Sequence, residues 1–242
     1  MRAILLAAGK GERLGDITKS IPKPMLKIND EVILEHNMKW LKKYGIKEFY
    51  VNLHYLPKVI KGYFKSNRVP GVKVRYSYER VILGTAGAIK KIASNWKAPF
   101  LVIYADNFYP LGYNLNKFID FYFRKKISFL IALYKNKREI YKSGVVLLKE
   151  NHLIDEFIEK PLRHDKIQKK QFSDNCFINT GIYLLDPSVV DYIAPGYSDF
   201  GKDIFPKLID GSIPVYGYIF QNKLIPIDTI ELYREYTRKD VE

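Results

Sequence analysis

Apolar and polar positions along this chain switch between two periods, and the switches mark its elements. Ala3 to Ala8 is an unbroken apolar run, long enough for a strand and too short for an amphipathic helix. Ile33, Leu34, Met38, Leu41 and Tyr44 then recur at near-helical spacing, with Lys39, Lys42 and Lys43 turned outward and Gly45 placed to end the helix. Residues 47–54 read as a strand, and a helix begins near Pro57 with Val59, Ile60, Tyr63 and Phe64 on one face. Residues 72–79 alternate as a strand, 86–96 look helical, and 100–106 form a near-continuous apolar run that ends on a carboxylate. This rhythm of strand and helix implies a parallel sheet covered by helices.

Residues 114–126 add a helix capped by Asn114, and 127–134 a further buried strand. The pattern then changes. Segments 143–149, 153–159 and 176–185 are strand-like with few helices between them. Short helices are expected over 188–193 and 203–209, a strand over 215–220, and a closing helix from Thr229 to about Lys239. The expected fold class is α/β: a Rossmann-like, mostly parallel central sheet with helices on both faces, and a smaller mixed or antiparallel portion in the second half. No linker or internal repeat interrupts the chain. Its most polar stretch, 162–174, reads as an exposed loop.

Composition narrows the class. An apolar share of 47% in 242 residues supplies the core of one large α/β domain. The single cysteine, Cys176, excludes an intrachain disulfide framework and, beside Phe177 and Ile178, reads as packing. With no signal-peptide pattern and no apolar run near eighteen residues, a cytoplasmic protein with no membrane partner is expected. Forty Lys and Arg against 26 Asp and Glu leave a net charge of +14. The lysines are spread over nearly every expected helix, which weighs against a nucleic-acid partner and suits the capture of small anions.

The densest candidate chemistry follows the first strand. Ala7-Ala-Gly-Lys-Gly11 is a small-residue turn, Arg13 follows at once, and Lys23 stands ten residues later between Pro22 and Pro24. Glycines let backbone amides approach an anion, a guanidinium forks onto phosphate oxygens, and an ammonium adds a point charge. The spacing fits neither familiar glycine motif: Gly15 falls one residue late for Gly-x-Gly-x-x-Gly, and no Gly-Lys-Ser/Thr is present. A polyphosphate cradle and a structural turn both remain open. Asp106 ends the most hydrophobic strand, where open parallel sheets bind ligands, and is equally a turn residue with Asn107. Asp228 is a metal-ligand candidate with a helix N-cap as its alternative.

Leu6-Ala-Ala-Gly-Lys-Gly-Glu-Arg-Leu14 followed by Pro22-Lys-Pro-Met-Leu26 resembles the signature of the sugar-1-phosphate nucleotidyltransferases. The resemblance extends over nearly the whole chain, as one domain of 1–242 with a nucleotide-binding portion (1–135) and a sugar-binding portion with the closing helix (136–242). It implies catalytic roles for Arg13 and Lys23, and nucleotide contacts from Leu6, Ala8, Gly9 and Gly11. Glu79-Arg-Val-Ile-Leu-Gly-Thr-Ala-Gly-Ala88 resembles the family's base-binding segment, which implicates Glu79, Gly84 and Thr85, although Thr85 also suits a plain N-cap. Phe157-Ile-Glu-Lys-Pro161 and Asn179-Thr-Gly-Ile-Tyr183 resemble the sugar-binding motifs, implicating Glu159, Lys160 and Asn179, with Asn107 beside them. Asp106 and Asp228 would hold Mg²⁺, Ala105 standing where the family has glycine and the motif at Asp228 lacking one. The implied partners are an NTP and a sugar 1-phosphate, and a homo-oligomer is compatible. The Leu-Gly-Thr-Ala-Gly-Ala wording looks most like the mannose- and heptose-1-phosphate guanylyltransferase branch, with uridylyl and thymidylyl branches similar.

Overall fold

Three parallel strands carry the beginning of the chain, as the apolar runs predict. In the computed structural model Arg2–Leu6 pairs with Glu48–Leu53, and Glu48–Leu53 with Lys73–Tyr78. The structure describes residues 1–110, 112–136, 143–161, 174–221, 225–227 and 229–238. The chain divides into two units that interleave in sequence: Met1–Ile82, Ile103–Leu111 and Leu224–Glu242 in one, Leu83–Val102 and Gly112–Lys223 in the other.

In the first unit the three strands are flanked by helices Ile33–Lys43 and Pro57–Ser66. The first of these closes as its glycine predicts: Gly45 adopts φ 78°, and its amide donates to Lys42 O at 3.0 Å. It buries more than the apolar stripe, because His36 and Asn37 go inside with Ile33, Leu34, Met38, Trp40 and Leu41. Residues 12–19 form a 3₁₀ segment that the periodicity does not predict, kinked where Gly15 takes φ 55°. Helix Ile230–Arg238 completes the unit: Ile230, Tyr233 and Tyr236 pack on a buried cluster of Leu14, Leu26, Ile28, Ile33, Phe108 and Ile227. Thr229 starts that helix, its hydroxyl accepting from Leu232 N at 3.3 Å. Asp228, for which sequence offered metal ligation or a helix cap, lies outside the described residues.

The second unit holds the mixed sheet. Cys176–Leu185 is its long strand, antiparallel to Phe129–Tyr134 and to Gly144–Leu148, and Ile154–Glu159 is antiparallel to the latter. Tyr216–Phe220 runs parallel to Phe129–Tyr134. Helix Leu115–Lys125 begins where Asn114 Oδ1 accepts from Asn116 N at 3.1 Å, as expected. The helix expected over 86–96 spans Gly84–Ala93. The one expected over 203–209 is a wide turn, Phe200–Ile204, leading into Phe205–Asp210. Pro206 sets that division, because its ring nitrogen has no proton to donate back into the preceding turn. The polar stretch 162–174 lies outside the described residues except for Asp174.

Taken by class, the fold is the mixed α/β arrangement expected, with parallel strands first and antiparallel strands in the second half.

Candidate functional site

In the first unit, Gly9, Lys10, Gly11, Glu12, Arg13 and Leu14 join Lys23, Ile82 and Asp106 around an open cleft of about 510 Å³. Leu6 ends the strand half-buried, Ala7 and Ala8 are buried behind it, and Gly9, Lys10 and Arg13 are exposed. Two features require glycine at Gly11. Its φ is 66°, and a Cβ there would lie 3.1 Å from both Lys23 Cβ and Thr18 Cγ2. Thr18 closes the loop from the other end, donating its hydroxyl to Gly11 O (3.0 Å) and Gly15 O (3.2 Å).

Lys23 sits in a short 3₁₀ turn, Lys23–Met25, entered through Pro22 and held by Met25 N to Pro22 O at 2.7 Å. Only 5% of the residue is exposed. Its Nζ meets Asp106 Oδ2 at 2.7 Å, while a third of the Asp106 side chain remains open. The two residues that sequence placed 83 positions apart therefore form one ion pair at the edge of the cleft.

The turn that presents Asp106 is fixed from several sides. Ala105 N donates to Leu6 O at 3.1 Å, and Asn107 and Phe108 pair with Pro226 and Ile225. Ala105 is not in the left-handed region, so alanine occupies the family's glycine position without backbone strain. Asn37 Nδ2 donates to Asn107 O at 2.8 Å and reaches Ala105 O at 3.5 Å, bracketing Asp106. His36 lies against Phe108, ring centroids 4.0 Å apart, with Nε2 2.9 Å from Tyr109 O. Asn107, expected to face a sugar phosphate, is 9% exposed.

Glu79 is 1% exposed and belongs to a chain of hydrogen bonds. Asn52 Nδ2 donates to Glu79 Oε1 at 2.8 Å, and Asn52 Oδ1 accepts from Ala7 N at 2.7 Å. Glu79 thus acts through Asn52 on the start of the glycine turn. Sequence reading missed Asn52, Asn37 and Thr18. A polar residue inside an apolar strand run is the signal that marks Asn52.

In the second unit, the Cβ sides of Gly84 and Gly87 are not open. A Cβ on Gly84 would be 2.4 Å from Ser198 O, and one on Gly87 2.4 Å from Gly196 O. The amides of Ala86 and Gly87 both donate to Ser198 O, at 2.9 and 3.1 Å. Thr85 is not an N-cap either, since the helix starts at Gly84 with Leu83 before it. Its hydroxyl donates to Asp199 Oδ2 at 2.9 Å and accepts from Phe200 N at 2.8 Å.

Glu159 ends its strand largely buried, its Oε2 facing the backbone of Gly144 and Gly201. Burial pushes its carboxyl above the ordinary carboxylate range; Lys160 opposes the shift and Asp199 adds to it. Lys160 adopts φ 49°, with Nζ 3.4 Å from Glu159 Oε1. Asn179 lies at an irregularity where Cys176–Leu185 slips against Phe129–Tyr134. There its Nδ2 donates to Tyr183 Oη at 2.8 Å, and its Oδ1 accepts from Gly181 N at 2.9 Å.

The donor set suits Mg²⁺ in one respect. Asp106 offers a partly open carboxylate beside a cationic cleft, and Mg²⁺ is commonly held by one or two carboxylates together with substrate phosphates and water. Among the described residues no cluster of three or more His, Cys, Asp or Glu forms a self-sufficient metal cage. No helix among them is long and apolar enough to cross a membrane.

Residues 2–229 match the family model described as Nucleotidyl transferase. A D-glycero-alpha-D-manno-heptose 1-phosphate guanylyltransferase of Campylobacter jejuni is 37% identical over 212 residues, 86% of this chain and 88% of that protein. A UTP–glucose-1-phosphate uridylyltransferase of Synechocystis is 33% identical over 247 residues, 96% of this chain; the matched part spans only 61% of that relative's length. Among solved structures, HddC from Yersinia pseudotuberculosis superposes with a TM-score of 0.78 at 25% identity, covering 98% of each chain.

Proposed function

The chain belongs to the nucleotidyl transferase family, and from that premise we propose that it transfers a nucleotidyl group from an NTP to a sugar 1-phosphate. The observation that carries this reading is the buried Lys23 paired with Asp106 at the edge of the cleft lined by Gly9 to Leu14. That cleft brings together a guanidinium, two ammonium groups and the carboxylates of Glu12 and Asp106, a set able to grip a triphosphate and a divalent cation at once.

In the proposed reaction a phosphate oxygen of the sugar 1-phosphate attacks the α-phosphorus of the NTP. The bond to the β-phosphate breaks, and pyrophosphate leaves with its electron pair. No general base is needed, because a phosphate monoester is already ionised near neutral pH. Charge neutralisation and alignment supply the catalysis. Arg13 grips the triphosphate and stabilises the departing pyrophosphate, while the backbone of Leu6 to Gly11 carries the nucleotide. Lys23 turns from Asp106 toward the α-phosphate. Asp106, with Asp228, would hold Mg²⁺, which when bound offsets the charge gathering on the phosphates. Glu159 accepts from sugar hydroxyls, Lys160 holds the sugar phosphate, and Asn179 completes the sugar contacts.

GTP with a manno- or heptose-type sugar 1-phosphate is the preferred pair, supported by the Campylobacter relative, which this chain matches over most of both lengths. UTP is the second reading, supported by the Synechocystis relative. Pyrophosphate release from GTP, UTP and dTTP, each with mannose, glucose and heptose 1-phosphates, separates them. Selective release with GTP is expected; release with UTP or dTTP alone replaces that base assignment. Tight nucleotide-sugar binding without release for any pair would make the protein a non-catalytic binding subunit instead.

A further inference from the structure

Thr85 lies in the segment that sequence assigns to the nucleotide base, yet its hydroxyl is engaged elsewhere. We propose that Thr85 is a positioning residue for the sugar subsite, acting through the 196–205 segment of its own unit; this rests on the transferase reading above. The segment is locked to the start of helix Gly84–Ala93. Ser198 N donates to Leu83 O at 2.9 Å, and Ser198 O accepts from Ala86 N and Gly87 N. Main chain fills the Cβ side of both Gly84 and Gly87. Thr85 adds the side-chain tie, donating to Asp199 Oδ2 and accepting from Phe200 N. Asp199 in turn caps the following turn, its Oδ1 accepting from Gly201 N at 3.0 Å and Lys202 N at 3.2 Å, and Asp203 Oδ2 accepts from Asp199 N at 2.7 Å.

Two routes lead from this turn to the sugar-binding candidates. A Cβ on Gly201 would lie 2.5 Å from Glu159 Oε2, so the turn's backbone forms a wall behind that carboxylate. Phe200 and Phe205 pack on the Tyr183 ring at 5.5 and 5.1 Å, and the Tyr183 hydroxyl accepts from Asn179 Nδ2. Glu159 and Asn179 thus share one support, and Thr85 fastens it. Valine in place of Thr85 keeps the shape but removes the donor and the acceptor together, leaving Phe200 N and Asp199 Oδ2 without that partner.

The test varies both substrates in steady state for wild type, Thr85→Val, Thr85→Ser and Gly201→Ala, with affinity for mannose and glucose 1-phosphate measured by calorimetry. Thr85→Val should raise the sugar 1-phosphate KM and dissociation constant by about tenfold, with the NTP KM shifted by less than about twofold. Thr85→Ser should restore both, and Gly201→Ala should reproduce the sugar defect without touching Thr85. A rise in the NTP KM alone, or unchanged sugar affinity in both Thr85→Val and Gly201→Ala, overturns the proposal. The transferase reading fails separately, if the wild-type protein turns over no pair.

Discussion

Lys23 and Asp106 are unequally buried, and that asymmetry decides how each substitution behaves. The Asp106 side chain is 33% exposed and the Lys23 side chain 7%. Lys23→Met leaves a carboxylate that water can reach, whereas Asp106→Ala leaves an ammonium buried without its carboxylate. Chemical denaturation should therefore show Asp106→Ala losing about 3 kcal/mol and Lys23→Met about 1 kcal/mol, and the reverse order would refute this account of the pair. Arg13 is exposed, so Arg13→Ala should leave the melting temperature in place while lowering turnover on the order of 10²-fold. Undiminished turnover would remove Arg13 from the charge-stabilising role. Gly11→Ala should cost about 1–3 kcal/mol, because the left-handed backbone and the contact with Lys23 oppose a side chain together. Part of this was legible in the sequence: the glycine turn after an apolar run, Arg13 and Lys23 stood out as candidate chemistry, with a structural turn equally open, whereas the pairing of Lys23 with Asp106 was not. Asn37 was not, since a polar residue in a helical repeat looks the same whether it faces water or brackets a buried turn.

Among the elements, strand Ile154–Glu159 carries the clearest pH signature. Burial raises the Glu159 carboxyl in the folded protein, so the native state holds its proton to higher pH than the unfolded chain does. Between the unfolded pKa and the raised folded one, the native state binds more protons, and stability falls as pH rises. Relative to Glu159→Gln, the wild-type protein should lose stability from the ordinary Glu pKa upward and level off above the folded value. A flat difference across pH 4 to 8 would contradict the burial argument. Most strands and helices followed from periodicity, since each buries one face or runs fully apolar. The 3₁₀ segment at 12–19 and the wide turn at 200–204 did not, because Gly15 and Pro206 redirect the backbone there. At Gly84 and Gly87, main chain from residues 196–198 fills the Cβ side. A close approach of two distant backbones leaves no mark in sequence except the glycine itself.

For the molecule as a whole, the net charge of +14 acts at long range on anionic substrates. The kcat/KM for NTP should fall several-fold between about 50 and 500 mM salt, as screening shortens the reach of the field. Insensitivity to salt would assign the lysines to solubility alone. The family assignment rests on a match across residues 2–229. The most direct test of the proposed chemistry is ³¹P nuclear magnetic resonance of the purified protein with Mg²⁺, an NTP and a sugar 1-phosphate. The account predicts that NDP-sugar diphosphate resonances and pyrophosphate grow together, one for one, as the sugar 1-phosphate signal declines. Orthophosphate and NDP appearing instead, or no change for any pair with a folded protein, would contradict it.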